Sequence, residues 1–227
     1  MPRRFDRAHI VAEGEPDCLA AVSLRTSLRS RFPHSHLLHL SRFSDANPDR
    51  LAAAENRLRS IGAPVQPTPG PAVAAIDRII ARLNRSGLHF AFLDPHNLGA
   101  LSFSLFESLA KLKHIDVIAH VSVSDLQRNV DRYTSELHNL FDEFAPGWRS
   151  EISTNMSQAP LRTAIIEYWS KRVKALGLPP ARHCELITGL RNQRLYWLFF
   201  LSRSAFARDL WTKISSFSKA PTFSFDP

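Results

Sequence analysis

A short apolar run that ends abruptly in Asp-Pro constrains this chain more than any other stretch. Leu88-His-Phe-Ala-Phe-Leu93 is nearly continuous in apolar side chains, and Asp94-Pro95-His96-Asn97-Leu-Gly99 follows it. Such a run, bounded by turn formers, suits a strand buried on both faces of a sheet. Pro95 fixes its own φ and pushes Asp94 toward extended backbone. The chain then sets a carboxylate, an imidazole and an amide side by side, with Gly99 permitting a sharp exit. Loops at the carboxyl ends of central strands are where open α/β sheets bind ligands. On spacing alone two readings stand level: a site at the sheet rim, or Asp94 capping the next helix while Pro95 stops the strand.

The flanking sequence keeps a strand–helix cadence. Asp17 is placed to cap a helix over 18–30, with Leu19, Val22, Leu24 and Leu28 on one side. A strand is expected over 35–41 and a loop over 42–47. Asn47-Pro48 opens a helix that runs to residue 60, with Leu51, Ala54, Leu58 and Ile61 inward. The proline-dense stretch 64–71 allows a short edge strand at most, because proline cannot donate to a ladder. Helices are predicted over 72–85 and 104–113, and a strand over 115–123. Alternation of this kind implies parallel pairing through right-handed crossovers. The loops after Leu93 and after Val123 then open on the same rim.

Helices are expected over 131–144 and 160–176. The latter has Leu161, Ile165, Tyr168, Trp169 and Val173 on its apolar face, and Trp148 and Arg149 lie in the break between the two helices. Strands over 185–190 and 195–201, joined by the Arg191–Arg194 turn, form an antiparallel hairpin. Tyr196, Trp197, Phe199 and Phe200 are core by default. A helix over 204–214 turns Phe206, Leu210 and Trp211 back onto the fold. Residues 1–215 form one domain, and 216–227 a loose tail.

The totals exclude several classes. With 227 residues the chain buries one substantial core. No apolar run approaches the ~20 residues that span a membrane, and the first residues lack the apolar core of a secretory signal. Two cysteines, Cys18 and Cys184, fit a reduced, cytoplasmic protein. A net charge of +8 and a pI near 10.1 favour phosphate-bearing partners such as nucleic acid, although a solvated basic surface gives the same totals. His34, His36 and His39 match no zinc spacing, so no metal site is expected. Gln127, Arg128 and Asn129 fit a phosphate or carboxylate site at a helix N-terminus, or simply a capped helix start.

Parallel βα units closed by an antiparallel hairpin are the layout of class I S-adenosylmethionine-dependent methyltransferases. Phe-Ala-Phe-Leu-Asp94-Pro95-His-Asn-Leu-Gly99 resembles the F-x-F-[IL]-D-P-[YFH]-[GN]-L segment of the three-Cys-motif partner (TcmP) family. Ile115-Asp-Val-Ile118, Asp125-Leu-Gln-Arg-Asn129, Pro146-Gly-Trp-Arg149 and Leu195-Tyr-Trp-Leu-Phe-Phe-Leu-Ser-Arg203, with Trp211 beyond, follow in the family's order. The resemblance covers roughly residues 35–215. It implies a Rossmann-like, mostly parallel sheet with helices on both faces, and S-adenosylmethionine as cofactor. A three-Cys-motif protein is implied as partner. It also implies that Asp94 and the Pro95 carbonyl accept hydrogen bonds from an acceptor amine on a nucleic acid or a partner protein. His96 would stack on the acceptor and Asn97 would bond to it.

Two departures bear on the cofactor half. The glycine-rich turn expected after the first strand has no counterpart, because no two of the eight glycines lie within three positions. The chain begins just after the place where the family carries that turn, so the first βα unit reads as degraded or missing. At the end of the second strand, where an acidic residue would bind ribose, Ser41 stands instead, with Asp45 four residues on. The alternative is therefore a catalytically inactive subunit that binds nucleic acid or protein, or that pairs with a second copy through an uncovered edge strand.

Overall fold

The structure is a computed structural model that describes residues 21–27, 39–135, 140–189, 191, 193–215 and 223–224. Eight strands form one mixed sheet. They are β1 (Ala21–Ser27), β2 (His39–Asp45), β3 (Val65–Pro69), β4 (Leu88–Asp94), β5 (Ile115–Ser122), β6 (His183–Thr188), β7 (Arg194–Ser202) and β8 (Phe223–Ser224). Their order is β3-β2-β1-β4-β5-β7-β6-β8. The helices are α1 (Pro48–Ser60), α2 (Ala72–Ile80), α3 (Phe103–Leu109), α4 (Val123–Ser135), α5 (Leu140–Phe144), α6 (Trp148–Glu151), α7 (Gln158–Ala175) and α8 (Ala205–Ser215).

The expectation of a mostly parallel sheet is corrected. Only β2–β3 and β4–β5 pair in parallel, and the other described pairings are antiparallel. The main cause is β1. Residues 21–27 were expected inside a helix over 18–30, but they form a strand antiparallel to both β2 and β4. Val22, Leu24 and Thr26 alternate with period two, so the stretch fits a strand as well as a helix, and pairing on both sides decides. The remaining residues of that predicted helix, and the cap at Asp17, lie outside the described residues, as do residues 35–38 of the predicted second strand.

β2 also departs from expectation, because it runs through Arg42 to Asp45 rather than ending at Ser41. Arg42 stays in the ladder because its Nε donates to Gln66 Oε1 on β3 at 3.1 Å, while Phe43 on the next position is buried. β3 is the edge strand that the prolines allow. α1 starts where Asn47 accepts from the backbone of Asp49 and Arg50. α2 ends at Ile80, short of the predicted residue 85. In the stretch expected to be loose, Phe223–Ser224 pairs with His183–Cys184.

Register divides the sheet into two faces. Ala91, Leu93, Val117, Ala119, Phe199 and Leu201 share one face, and all are buried in the large core with α2, α3, α4 and α7. Asp94, Ile118, His120, Tyr196 and Leu198 fall on the other face. Trp211 of α8 stacks there on Phe200, with ring centroids 5.2 Å apart. Phe206 and Leu210, expected to pack back, are exposed instead, because α8 turns Arg208, Trp211 and Ser215 toward the sheet. No described helix is long and apolar enough to cross a membrane.

Candidate functional site

β4 and β5 are parallel neighbours, so their carboxyl ends reach the same edge of the sheet. One register step beyond Leu93↔Ala119 brings Asp94 beside His120. His120 Nδ1 lies 2.5 Å from Asp94 Oδ1. The Tyr196 ring, contributed by antiparallel β7, covers the imidazole with centroids 3.9 Å apart. The side chain of Asp94 is 37% exposed and that of His120 17%. Among the described residues the second carboxylate oxygen of Asp94 has no partner. Burial, and then the negative charge of Asp94, push the Tyr196 phenol above its ordinary value, so the ring caps His120 as a neutral hydroxyl. The arrangement offers one exposed carboxylate oxygen to a hydrogen-bond donor, with an imidazole holding the other.

The loop after β4 is tied to the start of α4. Asp125, buried near that start, accepts from the Leu98 amide at 2.9 Å, the Tyr133 hydroxyl at 2.9 Å and the Asn129 amide at 2.6 Å. Burial and the Asp125 carboxylate together raise the Tyr133 phenol to about 12, so it remains a donor at neutral pH. Asn97 accepts from the Ala100 amide and caps the 3₁₀ turn at Leu98–Ala100. The Asp-Pro loop is therefore held at both ends, by Asp94–His120 and by Leu98–Asp125.

A second carboxylate belongs to the same rim. Asp45 ends β2 on the face shared with Phe43, and Ala21 of β1 stands between it and Asp94. Two strand spacings separate the two carboxylate positions, about 9–10 Å. Asp45 Oδ1 accepts from the Asn47 amide at 2.7 Å and faces Arg50 Nη2 at 3.4 Å. Its Oδ2 is buried and has no partner among the described residues. An acidic residue does therefore end the second strand. It was placed wrongly in the sequence because β2 continues four residues past Ser41, which sits inside the strand.

The structure brings Asp94 and Asp45 to one row, with Pro95, His96 and Asn97 in the loop directly after Asp94. Pro95 is buried and His96 is exposed. Gln127, Arg128 and Asn129 lie past the first turn of α4, because that helix already begins at Val123. Arg128 donates to its own helix at Ser124 O and Asn129 to Asp125, while Gln127 is exposed. Arg149 packs over Trp148 and pairs with Asp142. Sequence reasoning missed His120 and Tyr196. His120 carried a signal, since period two puts it on the face opposite Val117, Ala119 and Val121. Tyr196 carried none beyond its position at the start of a strand.

The residues fit the cofactor of the resembled family only in part. Asp45 ends the second strand as a ribose-binding carboxylate would, but its side chain is buried and its unpartnered Oδ2 is closed to a ribose hydroxyl in this structure. β1 does not suit the cofactor turn, because it is antiparallel and its carboxyl end, Ser27, lies beside Leu88 at the opposite edge. Among the described residues no three His, Cys, Asp or Glu side chains converge to hold a metal. No family model, curated protein or solved structure matches this chain.

Proposed function

We propose that this chain is a methyltransferase-like protein of the three-Cys-motif partner type, whose β4–β5 rim receives an amine of a nucleic acid. The observation that carries the reading is the row of Asp45, Asp94, His120 and Tyr196 along one edge and one face of the sheet. The strand order β3-β2-β1-β4-β5 is that of doubly wound nucleotide-binding sheets, and the antiparallel β6–β7 pair agrees with the resemblance. S-adenosylmethionine supplies an electrophilic methyl group when bound. Asp45 would hold its ribose only when its buried Oδ2 is uncovered on binding. Asp94 accepts an N–H of the acceptor amine on its open oxygen, while His120 holds the carboxylate in one orientation. Exposed Arg191 and Arg194, in the turn before β7 and at its start, offer phosphate contacts, and His96 and Tyr196 offer aromatic surfaces to a base.

The direction of β1 favours a second reading. Among the described residues no strand end stands where the glycine-rich turn would be, which fits a binding subunit without catalysis. Calorimetric titration of S-adenosylmethionine, with S-adenosylhomocysteine as control, separates the two. Micromolar binding that weakens tenfold or more in Asp45→Ala supports the first reading. No heat at millimolar ligand would leave the binding subunit.

A further inference from the structure

The two ends of the sheet differ in charge. The rim carries Asp45, Asp94 and Asp125. The opposite edge, where β4 and β5 begin, is built from the turn between α2 and β4 and the turn between α3 and β5. The turns abut, because the His89 amide donates to His114 O at 2.9 Å. Neither 78–93 nor 108–115 contains an Asp or a Glu. Arg82, Arg85, Lys113 and His114 are exposed there, and their side chains make no hydrogen bond or ion pair among the described residues. Arg42 of β2 joins them. Its Nη2 lies 3.4 Å from Arg82 O, its Nε is held by Gln66, and its Nη1 has no partner among the described residues. This guanidinium is half-buried. Burial, and then the charge of Arg82, lower it from its ordinary value, so two like charges crowd one corner with no carboxylate bound to either. His89 lies in the field of both Arg42 and His114, which ties that corner to the second turn. Of the flanking carboxylates, Asp77 accepts from Ser108 and Lys111, Asp116 accepts from Ser202, and Asp94 stands at the far end of β4. Glu107, exposed on α3, is left against four cations.

We propose that this edge binds the phosphate backbone of a nucleic acid, with Arg42, Arg82, Arg85 and Lys113 as the phosphate contacts. Three of the four are arginines, whose planar forks match phosphate oxygens. From β2 to β5 the contacts span three strand spacings, about 14 Å, which accommodates a few successive phosphates. The acidic rim repels a polyanion and this edge attracts it, so the field of the whole molecule orients the approach. A membrane surface fits less well. Leu88 is the one large apolar side chain exposed in these two turns, and interfacial binding needs a broader apolar face. The proposal stands apart from the methyltransferase-like reading and uses none of its residues. That reading places a base against Tyr196, whereas this edge lies at the other end of the seven-residue β4, about 23 Å away.

The test is fluorescence anisotropy of a labelled single-stranded oligonucleotide titrated with the full chain at several salt concentrations. The wild type is expected to bind, with affinity that falls as salt rises. Arg82→Gln combined with Arg85→Gln is expected to weaken binding at least tenfold at low salt. It should also flatten the slope of log K against log salt by about 0.7 for each charge removed. Both residues are exposed, and far-UV circular dichroism checks that the fold is intact. Arg132→Gln combined with Arg162→Gln removes the same charge elsewhere. Arg162 lies near the start of α7, whose other end meets the basic edge where Arg203 joins Gly177 O to Leu112 O. This control is expected to bind as the wild type does. No binding at low salt would overturn the proposal, as would an Arg82 and Arg85 variant that binds as tightly as the wild type or no more weakly than the control. Binding to phosphatidylserine vesicles without binding to the oligonucleotide would assign the edge to a membrane surface and overturn it equally. Tyr196→Ala bears on the rim alone, so the two readings fail separately.

Discussion

On the β4–β5–β7 side of the sheet, Trp169 of α7 is fully buried against Phe106, Phe144 and Phe199, with ring centroids 5.3 to 5.4 Å away. On the β2–β3 side, the separate core beneath α1 consists of Phe43, Leu51 and Val65, padded by Ala54, Leu58 and Ala63. The rim residues divide in the same way. Asp94, His120 and Asp125 stand on the deep side, cross-linked by hydrogen bonds. Asp45 stands on the shallow side, with one carboxylate oxygen unpartnered among the described residues. The deep side of the rim is thus preorganised by packing and hydrogen bonds, whereas the shallow side leaves a buried carboxylate oxygen unpartnered among the described residues.

Core truncation is the strongest way to break that contrast. Trp169→Ala is expected to cost about 3–5 kcal/mol, and Leu51→Ala about 2 kcal/mol because a small cluster collapses more easily. Urea denaturation measures both, and equal costs would remove the distinction between the halves. Next is Asp125→Ala. It strands the buried Tyr133 hydroxyl and the Leu98 amide, at about 1–3 kcal/mol each. Because Leu98 anchors the Asp-Pro loop, binding at the rim should be lost along with stability, which ligand titration at a temperature well below the unfolding midpoint would show.

The smallest effect concerns His89, buried at the amino end of β4. Burial holds its imidazole below the ordinary value, and the charges of Arg42 and His114 add to this, against the Asn84 carbonyl. The folded state therefore resists protonation, and the unfolded state binds the extra proton once pH falls below about 6.5. Stability is complete above that pH and declines on acidification. His89→Gln retains an N–H donor for the Asn84 carbonyl but cannot titrate. Its urea midpoint is expected to fall less than that of the wild type between about pH 7 and about pH 5.

Part of this molecule was legible in its sequence. β4, β5 and the α7 face follow from apolar runs whose ends are marked by Asp-Pro, Gly and Pro, and Trp169 and Val173 are buried where the helical period puts them. β1 was not legible, because its alternation of Val22, Leu24 and Thr26 competes with a helical spacing of Leu24 and Leu28, and only the neighbouring strands decide. The end of β2 was hidden by Arg42, whose Gln66 partner is distant in sequence. At the rim, Asp-Pro announced Asp94, but His120 and Tyr196 reach it through strand register, which no local pattern encodes. α8 misled for a different reason: apolar spacing marks a face, and does not say whether the chain itself covers it.

The most direct test of the rim as a nucleic-acid site is the affinity of a single-stranded oligonucleotide, by fluorescence anisotropy, for the wild type and for Tyr196→Ala at several salt concentrations. Loss of one stacking surface costs about 1–3 kcal/mol. The expected result is therefore about 5- to 150-fold weaker binding, with an unchanged salt slope because the substitution removes no positive charge. Equal affinity of the two proteins would contradict the account.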